Sequence, residues 1–183
     1  MNHNLSDIEF SRVCKVIASH LGLHFPIDRQ AYLNRNLALA AIDFGFQDTT
    51  RFIQWLISPA REKDQIECLA PYVTNSETYF WREPQVFAAF TQNILTELVN
   101  SKKDKVKSIN IWCSACSTGE EAYSIAIALH RTITGIKDWN IKILATDINS
   151  KSLLKARTGV YGTTSFRNSP PWLKSGYFKI KHR

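Results

Sequence analysis

The residues best suited to chemistry lie in CSACSTGEEAYS, 113–124: small hydroxyl and thiol side chains, one glycine and two adjacent glutamates, between a short apolar run and an amphipathic segment. A loop that cradles a dinucleotide needs several glycines, so that backbone can approach the pyrophosphate, and a helix N-terminus open to an anion. This loop has Gly119 alone and places Glu120 and Glu121 at the helix start, where they repel phosphate. A positively charged, phosphate-free nucleoside is accepted instead, and S-adenosylmethionine has that chemistry, with an amino group, a sulfonium and two ribose hydroxyls. A ribose asks for an acid at the end of the following strand, about 20 residues or more past the loop. Asp147 stands there, 27 residues after Glu120. Both positions also have plainer readings. Glu120 and Glu121 suit the first turn of any helix, and Asp147 could cap a helix beginning near Ser150.

Positioning these groups requires strand, helix, strand. SINIWC (108–113) reads as a short β-prone strand bounded by polar loop, Glu120 to Thr132 as a helix, IKILATDI (141–148) as a second strand and Ser150 to Arg157 as a second helix. That spacing predicts a parallel crossover, the opening unit of a doubly wound sheet whose ligand sits beyond the strands' C-terminal ends. Two strands cannot finish such a sheet, and 158–183 reads as loop with one short helix or turn and a terminal strand, so an edge stays open. Upstream, Glu83 and Pro84 open a helix with Val86, Phe87, Phe90, Ile94, Leu95 and Leu98 on its apolar face.

The first 72 residues read as helices and turns without a strand signal. Ser6 and Glu9 have capping-box spacing before Phe10, Val13, Cys14, Ile17 and Leu21, with Gly22 as the stop. A second helix is expected from about Asp28 to Phe44, and shorter ones near Thr49 to Ile57 and Arg61 to Tyr72.

Composition narrows the classes. In 183 residues, 44% hydrophobic and 21% charged, there is core enough for a folded chain. No window approaches the roughly 20 apolar residues of a membrane span, and MNHNLSDIEFSR lacks a leader pattern, so the expectation is a cytoplasmic protein without membrane insertion. Cys14, Cys68, Cys113 and Cys116 make no disulfide framework, and the C-x-x-C pair lacks further ligands at metal spacing among the five scattered histidines. No metal is expected. A net charge of +7 favours anionic partners in general, but the basic run SKKDKVKS (101–108) has no interleaved aromatics, and nucleic acid is not expected as a partner.

Three ordered segments carry a resemblance. TNSETYFWRE (74–83), WCSACSTGEEAYSI (112–125) and ATDINSKSLLKARTGVYG (145–162) are similar to motifs of the CheR family of chemotaxis-receptor glutamate methyltransferases, with Cys113 where relatives have Ser and Ala122 where they have Pro. The resemblance implies a small all-α N-terminal domain (1–72), then the incomplete start of a Rossmann-like class I S-adenosylmethionine-dependent methyltransferase sheet (73–183, truncated before the later strands). It implies that Glu120 binds the ligand's amino group or orders its loop, and that Asp147 holds the ribose. Ser76, Thr78 and Arg82 would close over the methionine end and the reacting methyl. Arg82 is the candidate catalytic residue, steering the ligand carboxylate or the incoming glutamate; its plainer reading is a surface ion pair. Tyr79, Phe80 and Trp81 are expected to pack between the domains.

The reaction implied is displacement at the sulfonium methyl by a receptor glutamate, giving a γ-glutamyl methyl ester and S-adenosylhomocysteine. Partners would be methyl-accepting chemotaxis receptors or related signalling proteins. Relatives often use arginines of the second helix to engage them, and here Arg29 and Arg35 stand in that region. Relatives also continue beyond this length with further strands, so the chain reads as an N-terminal portion. The competing reading is a non-catalytic signalling or receptor-binding module that keeps the helical domain and a partial sheet.

Overall fold

A computed structural model describes residues 4–59, 63–102 and 106–180, which divide into two compact units, residues 1–75 with 148–150, and 76–147 with 151–183. Part of the basic run (103–105), the start of the helix expected at Arg61 and the last residues of the expected terminal strand lie outside the described residues.

Regular elements of the first unit are all helical: α1 (Asp7–Leu21), α2 (Gln30–Asp43), α3 (Thr49–Ile57), α4 (Lys63–Glu67) and α5 (Ala70–Val73). α1 starts where its capping box predicts. Ser6 Oγ accepts the Glu9 amide (3.3 Å), Glu9 Oε2 accepts the Ser6 amide (2.9 Å), and Gly22 closes the helix at φ 69°. The second helix is entered through a 3-10 turn, Ile27–Arg29, so its α-helical part begins two residues later than expected. The single helix expected over 61–72 is two short ones, interrupted before Ala70 and Pro71. Phe10, Ile17, Leu33, Leu37, Phe52 and Leu56 form the centre of this unit's core.

In the second unit, α6 (Pro84–Ala89) and α7 (Leu95–Ser101) are joined by one π-helical turn, Phe90–Ile94. That turn corrects the expected apolar face. An i to i+5 segment rotates the succeeding residues away from a 3.6-residue period, so Leu95 is buried on the side of Phe87 while Ile94 stays 57% exposed; Val86, ahead of the turn, is 62% exposed.

Strands β1 (Ser108–Cys113) and β2 (Asn140–Ala145) pair in parallel, from Ser108 opposite Asn140 to Cys113 opposite Ala145. α8 (Glu120–Thr132) connects them, and α9 (Ser150–Thr158) comes after β2. One sheet face carries Ile109, Ile111, Ile141 and Ile143, packed with Leu95, Leu129 and Ile133. The other face carries Trp112 and Leu144, paired in register and exposed. Beyond α9 come a 3-10 turn, Thr163–Phe166, and α10 (Pro171–Tyr177); no strand forms over 178–180.

Phe80 is fully buried within this unit, among Tyr161, Phe166 and Phe178, with ring centroids at 4.8–4.9 Å. Trp81 stacks on Phe87 at 4.4 Å and meets Trp172 edge-on. The expected inter-domain position of these aromatics is therefore corrected. Phe80 and Trp81 belong to the second unit's own core, because residues 161–178 supply enough aromatic surface to enclose them, while Tyr79 is half-buried beside the guanidiniums of Arg82 and Arg167.

Replacing Ser6 by Ala removes the α1 cap. We expect the first unit to lose about 1 kcal/mol, read as a lower urea midpoint by far-ultraviolet circular dichroism, with Ser6→Asp restoring it.

Candidate functional site

The loop between β1 and α8 turns twice through left-handed backbone, at Ser117 (φ 47°) and Gly119 (φ 96°). Gly119 is required on two grounds. Its φ is unfavourable for any side chain, and a Cβ would lie 2.9 Å from both the Ala156 Cβ and the Tyr161 hydroxyl. The loop's one glycine thus serves close packing of α9 and Tyr161 against α8, and no phosphate cradle.

Consecutive residues of this loop hold the two predicted carboxylates. The Ser117 amide donates to Asp147 Oδ2 at 2.7 Å, and the Thr118 hydroxyl donates to Glu120 Oε2 at 2.6 Å. Main-chain bonds fix the two strand exits together, Thr146 N–H to the Cys113 carbonyl (2.9 Å) and Cys116 N–H to the Thr146 carbonyl (3.0 Å). Parallel register thereby delivers an acid from each exit to neighbouring positions of one loop.

Glu120 and Glu121 separate here. Glu121 is exposed and suits the simple first-turn reading. Glu120 is 1% exposed, and no cationic side chain among the described residues pairs with it. Its second oxygen, Oε1, accepts the hydroxyl of Ser165 at 2.9 Å. A buried carboxylate kept by neutral hydroxyls alone is electrostatically short of a positive charge. The same anion, after the larger effect of burial, pushes the Tyr161 hydroxyl well above its ordinary range, and that hydroxyl donates to the Thr118 carbonyl at 2.8 Å.

Of the residues expected from 76–83, Ser76 joins the loop. Its carbonyl accepts the Ser117 hydroxyl (3.0 Å), and its own hydroxyl accepts that of Ser152 on α9 (3.1 Å). Thr78 is half-buried in the same segment. Arg82 is exposed and makes no ion pair among the described residues: its Nη1 donates to the Glu77 carbonyl at 3.0 Å and its guanidinium lies 5.9 Å from the Tyr79 ring. The residues on either side of it, Trp81 (φ 59°) and Glu83 (φ 60°), are both left-handed. Such backbone is unfavourable for bulky side chains and is kept only where the surroundings over-determine it. Here the Trp81 amide donates to buried Ser124 Oγ at 3.0 Å and the Phe80 amide to the Ser165 carbonyl at 2.8 Å. The double kink sets Arg82's direction.

A cavity of about 300 Å³ beneath the loop is lined by Cys116, Gly119, Ala122, Ile143, Ala145 and Ala156 among others; neither carboxylate lines it. Cys113 and Cys116 are buried. Burial, then the charge of Glu121, pushes the Cys113 thiol up to about 11, and burial followed by the charge of Asp147 raises that of Cys116. Such thiols pack; they are not poised as nucleophiles.

Residues 76–183 match the CheR methyltransferase, SAM binding domain. The chain belongs to this family. It is 31% identical over 179 residues to a chemotaxis protein methyltransferase of Borreliella burgdorferi, covering 97% of this chain and 63% of that protein. With a chemotaxis protein methyltransferase 2 of Vibrio cholerae the identity is 25%, covering 97% and 60%. With the chemotaxis protein methyltransferase of Salmonella typhimurium it is 28%, covering 95% and 57%. The chain thus spans about three-fifths of the length of these CheR-family relatives. Among the described residues, no helix is long and apolar enough to cross a membrane.

Sequence reasoning missed the two hydroxyls on Glu120, those of Thr118 and Ser165, and the hydroxyls of Ser117, Ser124 and Ser152 that tie in Ser76 and Trp81. Thr118, two residues before Glu120, carried a local signal; Ser165, 45 residues away, carried none.

Two outcomes are expected. Gly119→Ala destabilises the second unit by at least ~1 kcal/mol, seen as a lower thermal midpoint. An aromatic disulfide reagent at pH 8 modifies exposed Cys68 in the folded chain and leaves Cys113 and Cys116 unreacted until denaturant is added. Because the Cys113 thiol titrates higher in the fold (about 11) than its ordinary 9.0, its contribution to stability is full below pH 9 and is lost as the pH rises through 11.

Proposed function

We propose that this chain is the N-terminal portion, helical domain 1–72 and sheet domain 73–183, of an S-adenosylmethionine-dependent protein-glutamate O-methyltransferase that forms γ-glutamyl methyl esters on the cytoplasmic regions of chemoreceptors. Family membership supports the reaction class. The observation that carries the reading for these residues is Glu120: a buried carboxylate without a cationic partner among the described residues, held by the Thr118 hydroxyl, one loop residue after the amide that holds Asp147.

The donor set fits the ligand. Two carboxylates at the strand exits disfavour phosphate and favour an ammonium and a diol. Glu120 would take the amino group and Asp147 the ribose hydroxyls, with Ser76 and Thr78 beside them and Arg82 toward the reacting end. When bound, S-adenosylmethionine supplies an electrophilic methyl on a sulfonium. The acceptor glutamate is ionised at neutral pH, so the chain need supply no strong base. Its residues orient and place charge: Arg82, between the kinks at Trp81 and Glu83, presents a cation to a carboxylate.

Isothermal calorimetry with S-adenosylhomocysteine tests this. Micromolar binding by the folded chain is expected, with at least a tenfold loss on Asp147→Ala and no binding of NAD. A folded chain that does not bind S-adenosylhomocysteine, or an Asp147→Ala variant that binds it undiminished, would sink the reading; the former result would favour a non-catalytic receptor-binding module.

A further inference from the structure

We infer that Ser165, outside the three motif segments, is a positioning residue that aims Glu120 at the ligand's amino group; this rests on the function proposed above. Ser165 is 6% exposed and lies in the turn Thr163–Phe166. Three of its groups are engaged at once. The hydroxyl donates to Glu120 Oε1 (2.9 Å), the carbonyl accepts the Phe80 amide (2.8 Å), and the amide donates to the Gly162 carbonyl (3.1 Å). Backbone bonds on both sides thus fix where the hydroxyl points.

With Thr118 on Oε2 and Ser165 on Oε1, each oxygen of Glu120 has one donor. A carboxylate accepts about four hydrogen bonds, so Glu120 keeps acceptor capacity for an ammonium beside both hydroxyls. The two donors set the plane of the carboxylate and stabilise its charge in a site from which water is removed. Thr118 shares the loop with Glu120 and moves with it. Ser165 belongs to a separate element and bonds the carboxylate itself, so it ties Glu120 Oε1 directly to the turn after α9.

The same turn also holds the 77–82 segment. Next to Ser165's bond to Phe80, Arg167 pairs with Glu77 at 2.6 Å and lies 4.5 Å from the Tyr79 ring, while Glu77 and Tyr79 are the contacts of Arg82. One short turn therefore registers the amino-group acid against the segment that carries the candidate catalytic arginine.

The test compares two probes by calorimetry on the whole chain: S-adenosylhomocysteine, and 5′-methylthioadenosine, which keeps the nucleoside and lacks the amino acid. Ser165→Ala should weaken S-adenosylhomocysteine about tenfold, the scale of one charged hydrogen bond, and change 5′-methylthioadenosine less than about twofold. In a Glu120→Gln background Ser165→Ala should add nothing further, and Ser165→Thr, which keeps the hydroxyl, should bind like the parent. Should the alanine variant fail to fold by circular dichroism, Ser165→Cys, close in volume and a weak donor, is read in its place with the same expectation. Equal weakening of both probes, an undiminished affinity for S-adenosylhomocysteine, or an undiminished effect of Ser165→Ala in the Glu120→Gln background overturns the inference. Failure of the unmutated chain to bind S-adenosylhomocysteine overturns the proposed function and this inference together, and is distinguished because it appears before any substitution.

Discussion

A carboxylate removed from water must be compensated where it stands, and the second unit is arranged around that demand at Glu120. Its charge is kept by two hydroxyls from different elements, one in the β1–α8 loop and one in the turn after α9. Further bonds extend outward from those two. The turn anchors the Phe80 amide, the loop anchors Asp147 and Ser76, and Tyr161 closes the ring by donating to the Thr118 carbonyl. Remove the compensation and the loop loses both its charge and its shape.

Parallel strands make this possible. Their C-terminal ends lie side by side, so two loops far apart in sequence share a few ångströms of space. In this CheR-family chain the arrangement is reached with one glycine, spent on packing against Ala156. Loop residues that would elsewhere open backbone to phosphate carry hydroxyls instead, and the ligand class changes with them.

Much of the fold and part of the site were legible in the sequence, for separable reasons. α1 was readable because its capping box is local, and β1, α8 and β2 because their apolar periods differ. Glu120 and Asp147 stood out through residue type at the expected strand exits, although residue type alone did not separate Glu120 from Glu121; the family resemblance singled out Glu120, and burial distinguishes the two in the fold. The features that escaped depend on tertiary context. The π-turn at Phe90–Ile94 has no pattern that announces it, and it leaves Ile94 at the surface while Leu95 is buried. Phe80 and Trp81 had apolar character without an address, which residues 161–178 supplied. Ser165 was invisible because a serine 45 positions away carries no period and no motif.

The left-handed backbone at Glu83 has an evolutionary consequence. A non-glycine residue there carries a conformational penalty of ~1 kcal/mol or more, and glycine or asparagine would relieve it. Selection for heat resistance alone would therefore find position 83 early, since the exchange touches no core contact. Because either residue keeps the left-handed turn beside Arg82, such a lineage would grow sturdier with the path of this segment unchanged.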